Sequence, residues 1–458
     1  MRPVQSPAIK LTREQRKAAG KALRGKCSRA SHEDWKPHAH REDPVQVLID
    51  SSKGRVQHLL PIRYARMMQS PFSFFRGAAA IMAGDLAHTP SSGIRTQICG
   101  DCHLLNFGLF ATPERRLIFD INDFDETLPA PWEWDVKRLA TSFVIAAQHN
   151  RFGKKDAREI ARQCVRSYRE HMTALAEMRV LERWYERLDA DALIDELRSR
   201  KWKKKIRKLI AKEAARSVVE HDFPKLVRVK GGRVRIKDNP PLIFHQTSME
   251  AKEFDQLVRD AFRRYCDSLS ADRRTLINHF EIKDIVFKVV GVGSVGTRCA
   301  ILLMMAGDDD PLFLQVKEAR SSVLEPYAGK SVYANRGERV VAGQRLMQAA
   351  SDLFLGWTAR AGEHFYIRQL RDMKVSPVAE IMDAGAMGRF AQWCGWALAR
   401  AHAKSGDSAL IGGYLGAGGS FDEAISGFAV AYARQNERDH QSLLDAIRAG
   451  KIQVARES

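Results

Sequence analysis

The chain has 458 residues, with 74 Lys and Arg against 55 Asp and Glu, a formal net charge of +19, and 45% hydrophobic residues. A chain this apolar, carrying 8 Trp, 9 Tyr and 21 Phe, buries enough surface to offset its ordering entropy, which excludes intrinsic disorder. No run reaches the roughly 20 apolar residues of a membrane span, and the basic stretch from Met1 to Arg24 lacks the apolar segment of a secretory signal. Cys27, Cys99, Cys102, Cys164, Cys266, Cys299 and Cys394 are scattered and odd in number, a usage that fits reduced thiols in the cytoplasm. The excess of positive charge has two readings: a surface for nucleic acid or another polyanion, or the well-charged exterior of an enzyme that handles phosphorylated compounds.

Residues 1–60 read as a charged helical extension, broken at Pro37 and Pro44 and packed on the rest of the chain. Pro71 opens a helix that is expected to continue past Arg76. The apolar runs Arg95 to Cys99, Phe107 to Phe110 and Leu117 to Ile121, divided at Thr112-Pro113, predict a β-hairpin with polar residues on either side. Helices are expected over Trp134 to Asn150 and Ala157 to Glu220. Within the second lies the densest positive run, from Arg198 to Lys212, where Trp202, Ile206, Leu209 and Ile210 keep helical spacing. A solvated basic face is the simpler reading of that run, and polyanion contact the alternative. A hairpin turn follows at Lys230-Gly-Gly-Arg233. Strands are predicted over Asp284 to Val290, Thr297 to Met305, Leu312 to Val316 and Phe365 to Leu370, with one helix between Arg336 and Leu355. Strong helices over Met387 to Lys404 and Asp422 to Asp445 complete the chain.

The densest polar constellation is Cys99-Gly-Asp-Cys-His-Leu-Leu-Asn106, followed by Asn122-Asp-Phe-Asp-Glu126. Cys99-x-x-Cys102-His103 has the spacing of a c-type haem attachment, but neither an export signal nor a distal ligand motif accompanies it. A redox pair or half a zinc site is disfavoured, because no second Cys or His pair stands at ligand spacing. Two buried thiols in a tight turn are the simplest account of the sulfurs. Asp101, Asn106 and Asp123 carry a different chemistry. Phosphoryl transfer needs a carboxylate to orient or deprotonate the attacking hydroxyl, and an Asn and an Asp to hold Mg²⁺ on the nucleotide phosphates.

Gly100-Asp101-x-His103-x-x-Asn106 resembles the catalytic loop of aminoglycoside phosphotransferases and related small-molecule kinases. Asn122 to Glu126 looks like the metal-binding segment of that family, and Pro131-Trp-Glu-Trp-Asp135-Val-Lys-Arg-Leu-Ala140 like the start of its next helix. Cys99 stands where that family has its first His. Gly291-Val-Gly293-Ser294-Val-Gly296 lies between two predicted strands, as a kinase phosphate loop does, and Lys317 ends the next strand. The resemblance implies an acidic partner for Lys317, with Glu338 the first choice and Glu325 the second. It implies Asp101 and His103 as catalytic residues, Asn106 and Asp123 as Mg²⁺ ligands, and Gly291, Gly293, Ser294, Gly296, Lys317 and Glu338 as the ATP site, with Lys317 on the α- and β-phosphates. Asp125, Glu126 and His103 would line the acceptor side. His402 reads as a structural helix-end residue.

The catalytic segments precede the glycine loop, the reverse of kinase order, which a circular permutation through an exposed connection reconciles. The fold expected is therefore α+β and two-lobed, a permuted protein-kinase-like fold. It would comprise a large helical lobe over 61–280, a small antiparallel-sheet lobe over 281–370, and C-terminal helices over 371–458 that complete the large lobe. Across residues 40 to 440 the chain also resembles the bacterial family DUF2252, on Pro61-Ile-Arg-Tyr-Ala-Arg-Met67, Ser70-Pro-Phe-x-Phe-x-Arg-Gly77, the 100–108 and 122–126 segments, Gly291 to Arg298, Lys317-Glu-Ala319, Arg368 to Lys374 and Leu398 to His402. That family brings no assigned reaction. The function expected from the residues is ATP- and Mg²⁺-dependent phosphoryl transfer to an unidentified acceptor, with nucleotidyl transfer as a variant. The competing expectation is a non-catalytic kinase-like protein that binds RNA or another polyanion through the 198–212 run.

Overall fold

The apolar runs beyond residue 280 pair into one antiparallel sheet. In spatial order its strands are Gly356–Arg360, Glu363–Gln369, Asp310–Ala319, Cys299–Ala306, Glu281–Lys288 and Ile243–Phe244. This is a computed structural model, and it describes residues 11–197, 199–214, 223–230, 233–240, 242–245, 251–289, 291–293, 295–307, 310–370 and 373–455. The four strands predicted from sequence all form. The two edge strands, Gly356–Arg360 and Ile243–Phe244, were not predicted, because at five and two residues they are too short to show an alternating pattern.

Both faces of the sheet are covered, which explains why Ala300-Ile-Leu-Leu-Met-Met305 reads as a continuous apolar run. Leu302, Met304, Leu312, Leu314 and Ile367 pack against Tyr265, Leu269 and Ile277 of helices Ala251–Asp267 and Ala271–Ile277. Ile301, Leu303, Met305 and Phe313 pack against the hairpin of Val227–Lys230 and Arg233–Ile236, whose turn lies outside the described residues. Register sets the chemistry of that second face. Gln315 pairs with Ile301 and Arg368, and Lys317 with Cys299 and Tyr366. Because side chains alternate, Gln315, Lys317, Tyr366 and Arg368 project together as one polar stripe.

The helical part is built on Glu133–His149, Lys154–Glu177, Ala384–Ser405 and Ser420–Arg448. Gly395 lies against the Cys164 carbonyl, so Lys154–Glu177 and Ala384–Ser405 cross almost in backbone contact. Trp132 stacks on Tyr168 with centroids 5.5 Å apart. Helix Arg13–Leu23 of the N-terminal extension crosses Ser408–Leu415 equally closely at Gly20 and Gly413. Arg41 then bridges Asp85 and Asp439 at 2.7 and 2.6 Å, fastening the extension to the last helix.

One helix ends earlier than the sequence pattern suggests and another, which runs past Arg76 as expected, breaks once; tertiary hydrogen bonds lie at both places. Arg336–Met347 stops eight residues short of Leu355: Gln348 donates to the Ile121 carbonyl at 2.7 Å, and the Ala349 amide to Asp120 at 2.8 Å. Pro71–Gly77 breaks before resuming as Ala79–Ala87, and the Gly77 carbonyl accepts from buried Arg63 at 2.9 Å. In the basic stretch, Arg198 lies outside the described residues. Helix Arg200–Ala214 turns Trp202, Ile206 and Leu209 toward an apolar cleft shared with Leu109 and Phe390, and leaves Lys201, Lys204, Arg207, Lys208 and Lys212 exposed. Among the described residues no helix is long and apolar enough to cross a membrane.

Candidate functional site

The hairpin of Phe107–Ala111 and Leu117–Ile121 fixes the two chemical segments at one end. Its register pairs Phe107 with Ile121, and the Asn122 amide donates to the Asn106 carbonyl at 2.7 Å. The loop before it and the segment after it are thus neighbours. Gly100 lets them close up. Its φ is +82°, and a Cβ there would lie 2.5 Å from the Glu126 carbonyl oxygen, so only glycine fits.

Asp135, in the first turn of helix Glu133–His149, anchors the loop. Its carboxylate accepts from the Cys99 and Gly100 amides at 2.8 and 3.0 Å, and His402 Nε2 lies 3.3 Å from it. Tyr168 Oη stands 3.0 Å from His402 Nδ1, so His402 is a buried bracket for the loop. Cys99 and Cys102 come with Asp135 within 4.8 Å of one another. Three donors are one short of a structural zinc, the carboxylate is already engaged, and burial raises both thiols, Cys102 to about 11 and Cys99 well above its ordinary value. They are core thiols.

Asp101, His103, Asn106, Asp123, Asp125 and Glu126 line one cleft of about 260 Å³, together with Gly291 and Gly293. Arg138 donates to Asp101 Oδ1 through Nε and Nη2, at 2.8 and 2.5 Å, and leaves Oδ2 4.0 Å from His103 Nε2. His103 is held neutral: burial pushes its pKa down to about 4, and Arg76 and Arg138 add to this against Asp101. Asn106 donates its Nδ2 to the Asp101 carbonyl at 2.7 Å. Its Oδ1 is left without a hydrogen bond among the described residues. Asp123 accepts from the Asp125 amide at 3.2 Å through Oδ1, and its Oδ2 is likewise unengaged among the described residues. One carboxylate and one amide oxygen from residues that line the same cleft suit the hard-oxygen preference of Mg²⁺.

Lys317 reaches this cleft only through Asp125, to which it donates at 2.7 Å while Tyr366 Oη donates to the other carboxylate oxygen at 2.6 Å. Burial lowers the Lys317 pKa, but Asp123 and Asp125 more than offset it, and the ammonium is held charged. The acidic partner of Lys317 is thus Asp125. Glu338 does not line the cleft, and Glu325 accepts from the Ser322 amide at 3.3 Å. The helix after the lysine contributes Arg339 instead, which holds the carbonyls of Thr127, Asp125 and Arg320 at 2.6, 2.7 and 3.0 Å. In the glycine-rich turn, Ser294 lies outside the described residues. Gly296 stands off the cleft with φ +85°, its carbonyl accepting from the Val56 amide at 2.8 Å.

The sequence reading did not single out Arg55, Arg63, Arg76 and Arg320, which line the same cleft. Arg55 Nη1 donates to the Gly293 and Val295 carbonyls, both at 2.8 Å, and Arg66 to that of Gly291. For Arg63 and Arg76 the signal in the sequence was an arginine within apolar helical runs, in Pro61 to Met67 and Ser70 to Gly77, where a core-facing helix would carry none.

A family model described as an uncharacterized protein conserved in bacteria (DUF2252) matches residues 55–446. No curated protein and no solved structure matches the chain.

Proposed function

The chain belongs to the DUF2252 family, and we propose that it is an ATP- and Mg²⁺-dependent phosphotransferase on a two-lobed, circularly permuted kinase-like fold. The observation that carries this reading is the convergence of Asp101, Asn106 and Asp123 with Gly291 and Gly293 on one cleft, from segments more than 160 residues apart. Asp101 orients the acceptor hydroxyl and takes its proton on Oδ2, since Arg138 occupies Oδ1. Asn106 Oδ1 and the Asp123 carboxylate would hold Mg²⁺, which would supply neutralisation of the charge that develops during transfer. Lys317 and Tyr366 hold the Asp125 carboxylate in place, one on each oxygen. The role on the α- and β-phosphates that the kinase resemblance implies for Lys317 is therefore replaced here by a positioning role. Nucleotidyl transfer would use the same carboxylate and metal ligands with ATP in another pose. The cytoplasm, where ATP is abundant, is the compartment this reading requires.

The test is thermal and calorimetric titration with ATP and MgCl₂ of wild type and Asp123→Asn. A ligand at 100 times its Kd stabilises a fold by about 2.7 kcal/mol, so a Mg²⁺-dependent shift is expected in wild type and should be absent from Asp123→Asn. If nucleotide with Mg²⁺ stabilises neither protein, the reading fails. The exposed basic row of helix Arg200–Ala214 supports the second reading, a polyanion-binding protein. That reading requires RNA affinity that falls steeply with salt and is indifferent to Asp123→Asn.

A further inference from the structure

We propose that Arg55, Arg63, Arg76 and Arg320 form the binding site for an anionic group, a phosphate or carboxylate, carried by the acceptor that faces Asp101. The acceptor part of this proposal rests on the phosphotransferase reading, while the anion site rests on the arginines themselves.

Arg63 is 2% exposed and lines the cleft. It spends Nη2 on the Gly77 carbonyl, at 2.9 Å, and leaves Nε and Nη1 buried without a partner. Arg76 Nε is buried and unpartnered too. Arg55 and Arg320 are held by backbone carbonyls: Arg55 by those of the glycine-rich turn, Arg320 by Ser51 at 3.0 Å and by Lys53. None of the four makes an ion pair among the described residues. The charges are close enough to repel: after burial, the nearness of Arg63 and Arg320 helps push the Arg55 pKa down to about 9.

The carboxylates of the cleft do not resolve this imbalance, because most already have partners. Asp101 is gripped by Arg138, Asp125 by Lys317, Glu318 by Arg298, and Glu126 accepts from the Val323 amide at 2.7 Å. Glu126 and Glu318 act on Arg55, and Asp101 on Arg76, only from a distance and without forming an ion pair, and guanidinium forks match the geometry of phosphate and carboxylate. Arg63 and Arg76 sit on consecutive helices, Leu60–Met68 and Pro71–Gly77, so their forks are presented by rigid elements. A cationic amine of the aminoglycoside type would meet four like charges here. A phosphorylated or carboxylated small molecule is therefore the acceptor class.

The experiment titrates inorganic phosphate at constant ionic strength into wild type, Arg76→Gln, Arg76→Lys and Arg63→Gln, each with and without Mg²⁺ and a non-hydrolysable ATP analogue. Arg76 makes no hydrogen bond to the fold among the described residues, so its substitution leaves the scaffold intact. Saturable phosphate stabilisation is expected in wild type, additive to that by nucleotide, at least tenfold weaker in Arg76→Gln and largely restored in Arg76→Lys. Nucleotide stabilisation of Arg76→Gln should match wild type. No phosphate effect beyond matched chloride overturns the proposal, as does one-for-one competition between phosphate and nucleotide, which would assign the arginines to the phosphates of ATP. Arginine-dependent phosphate binding without any nucleotide binding would uphold the anion site and defeat the phosphotransferase reading.

Discussion

Lys317 and Asp125 come from segments 192 residues apart and meet at 2.7 Å, with side-chain exposures of 4% and 29%. At that separation and an effective dielectric of about 20, the Coulomb attraction is about 6 kcal/mol before desolvation is subtracted. Removing one member of a fully buried pair costs about 3–5 kcal/mol, because the survivor stays charged and unpaired. Asp125 is partly open to solvent and keeps its hydrogen bond from Tyr366, so Lys317→Met should cost about 3 kcal/mol, at the lower end. Asp125→Asn should cost less, because Asp123 still acts on the ammonium. In urea denaturation the double variant should be more stable than the sum of the single losses predicts, by about 1–3 kcal/mol, the coupling of a contacting pair. Losses that add to within about 0.5 kcal/mol would refute the pairing, and would reopen Lys317 as a residue free to enter the cleft.

Gly100→Ala should destabilise the fold by about 2 kcal/mol or more in thermal melts, since it combines left-handed backbone strain of about 1–2 kcal/mol with a Cβ 2.5 Å from the Glu126 carbonyl. Asp120→Asn should cost about 3–5 kcal/mol, because it leaves the fully buried Arg400 guanidinium without its only ion-pair partner among the described residues, at 2.8 Å; denaturant midpoints measure this. Burial holds His32 down to about 3, against an ordinary 6.5. The folded chain therefore refuses a proton that the unfolded chain accepts, and the stability present above pH 6.5 is lost as pH falls toward 3. A His32→Gln variant should show a shallower decline of urea midpoint over that window.

The acidic 99–106 loop was legible because its residues lie close in sequence. Asp101, His103 and Asn106 occupy one loop, and the hairpin that brings Asp123 back to it is signalled by its own apolar runs and its Thr112-Pro113 break. The glycine-rich turn and Lys317 were legible for the same reason, from a strand, a turn and the strands that follow. The partner of Lys317 was not, because the kinase pattern puts a Glu on the next helix, whereas Asp125 of the 122–126 segment fills the role and that helix offers Arg339. Arg63 and Arg76 stood inside runs that otherwise marked a core face, and amphipathic spacing cannot tell an arginine at the protein surface from one aimed into a cleft.

The amino-acid sequence by itself determined the α+β class, four of the six strands of the main sheet, the local chemistry of the 99–126 and 291–317 segments, and the excess of positive charge. All of these depend on residue type and on spacings within about thirty positions. Only the tertiary structure decided where that charge matters. Four arginines from the N-terminal extension, from the two helices after it and from the end of a sheet strand meet beside the acidic loop. Burial and the shortage of uncommitted carboxylates, which no sequence window contains, turn these ordinary surface-type residues into a candidate anion site.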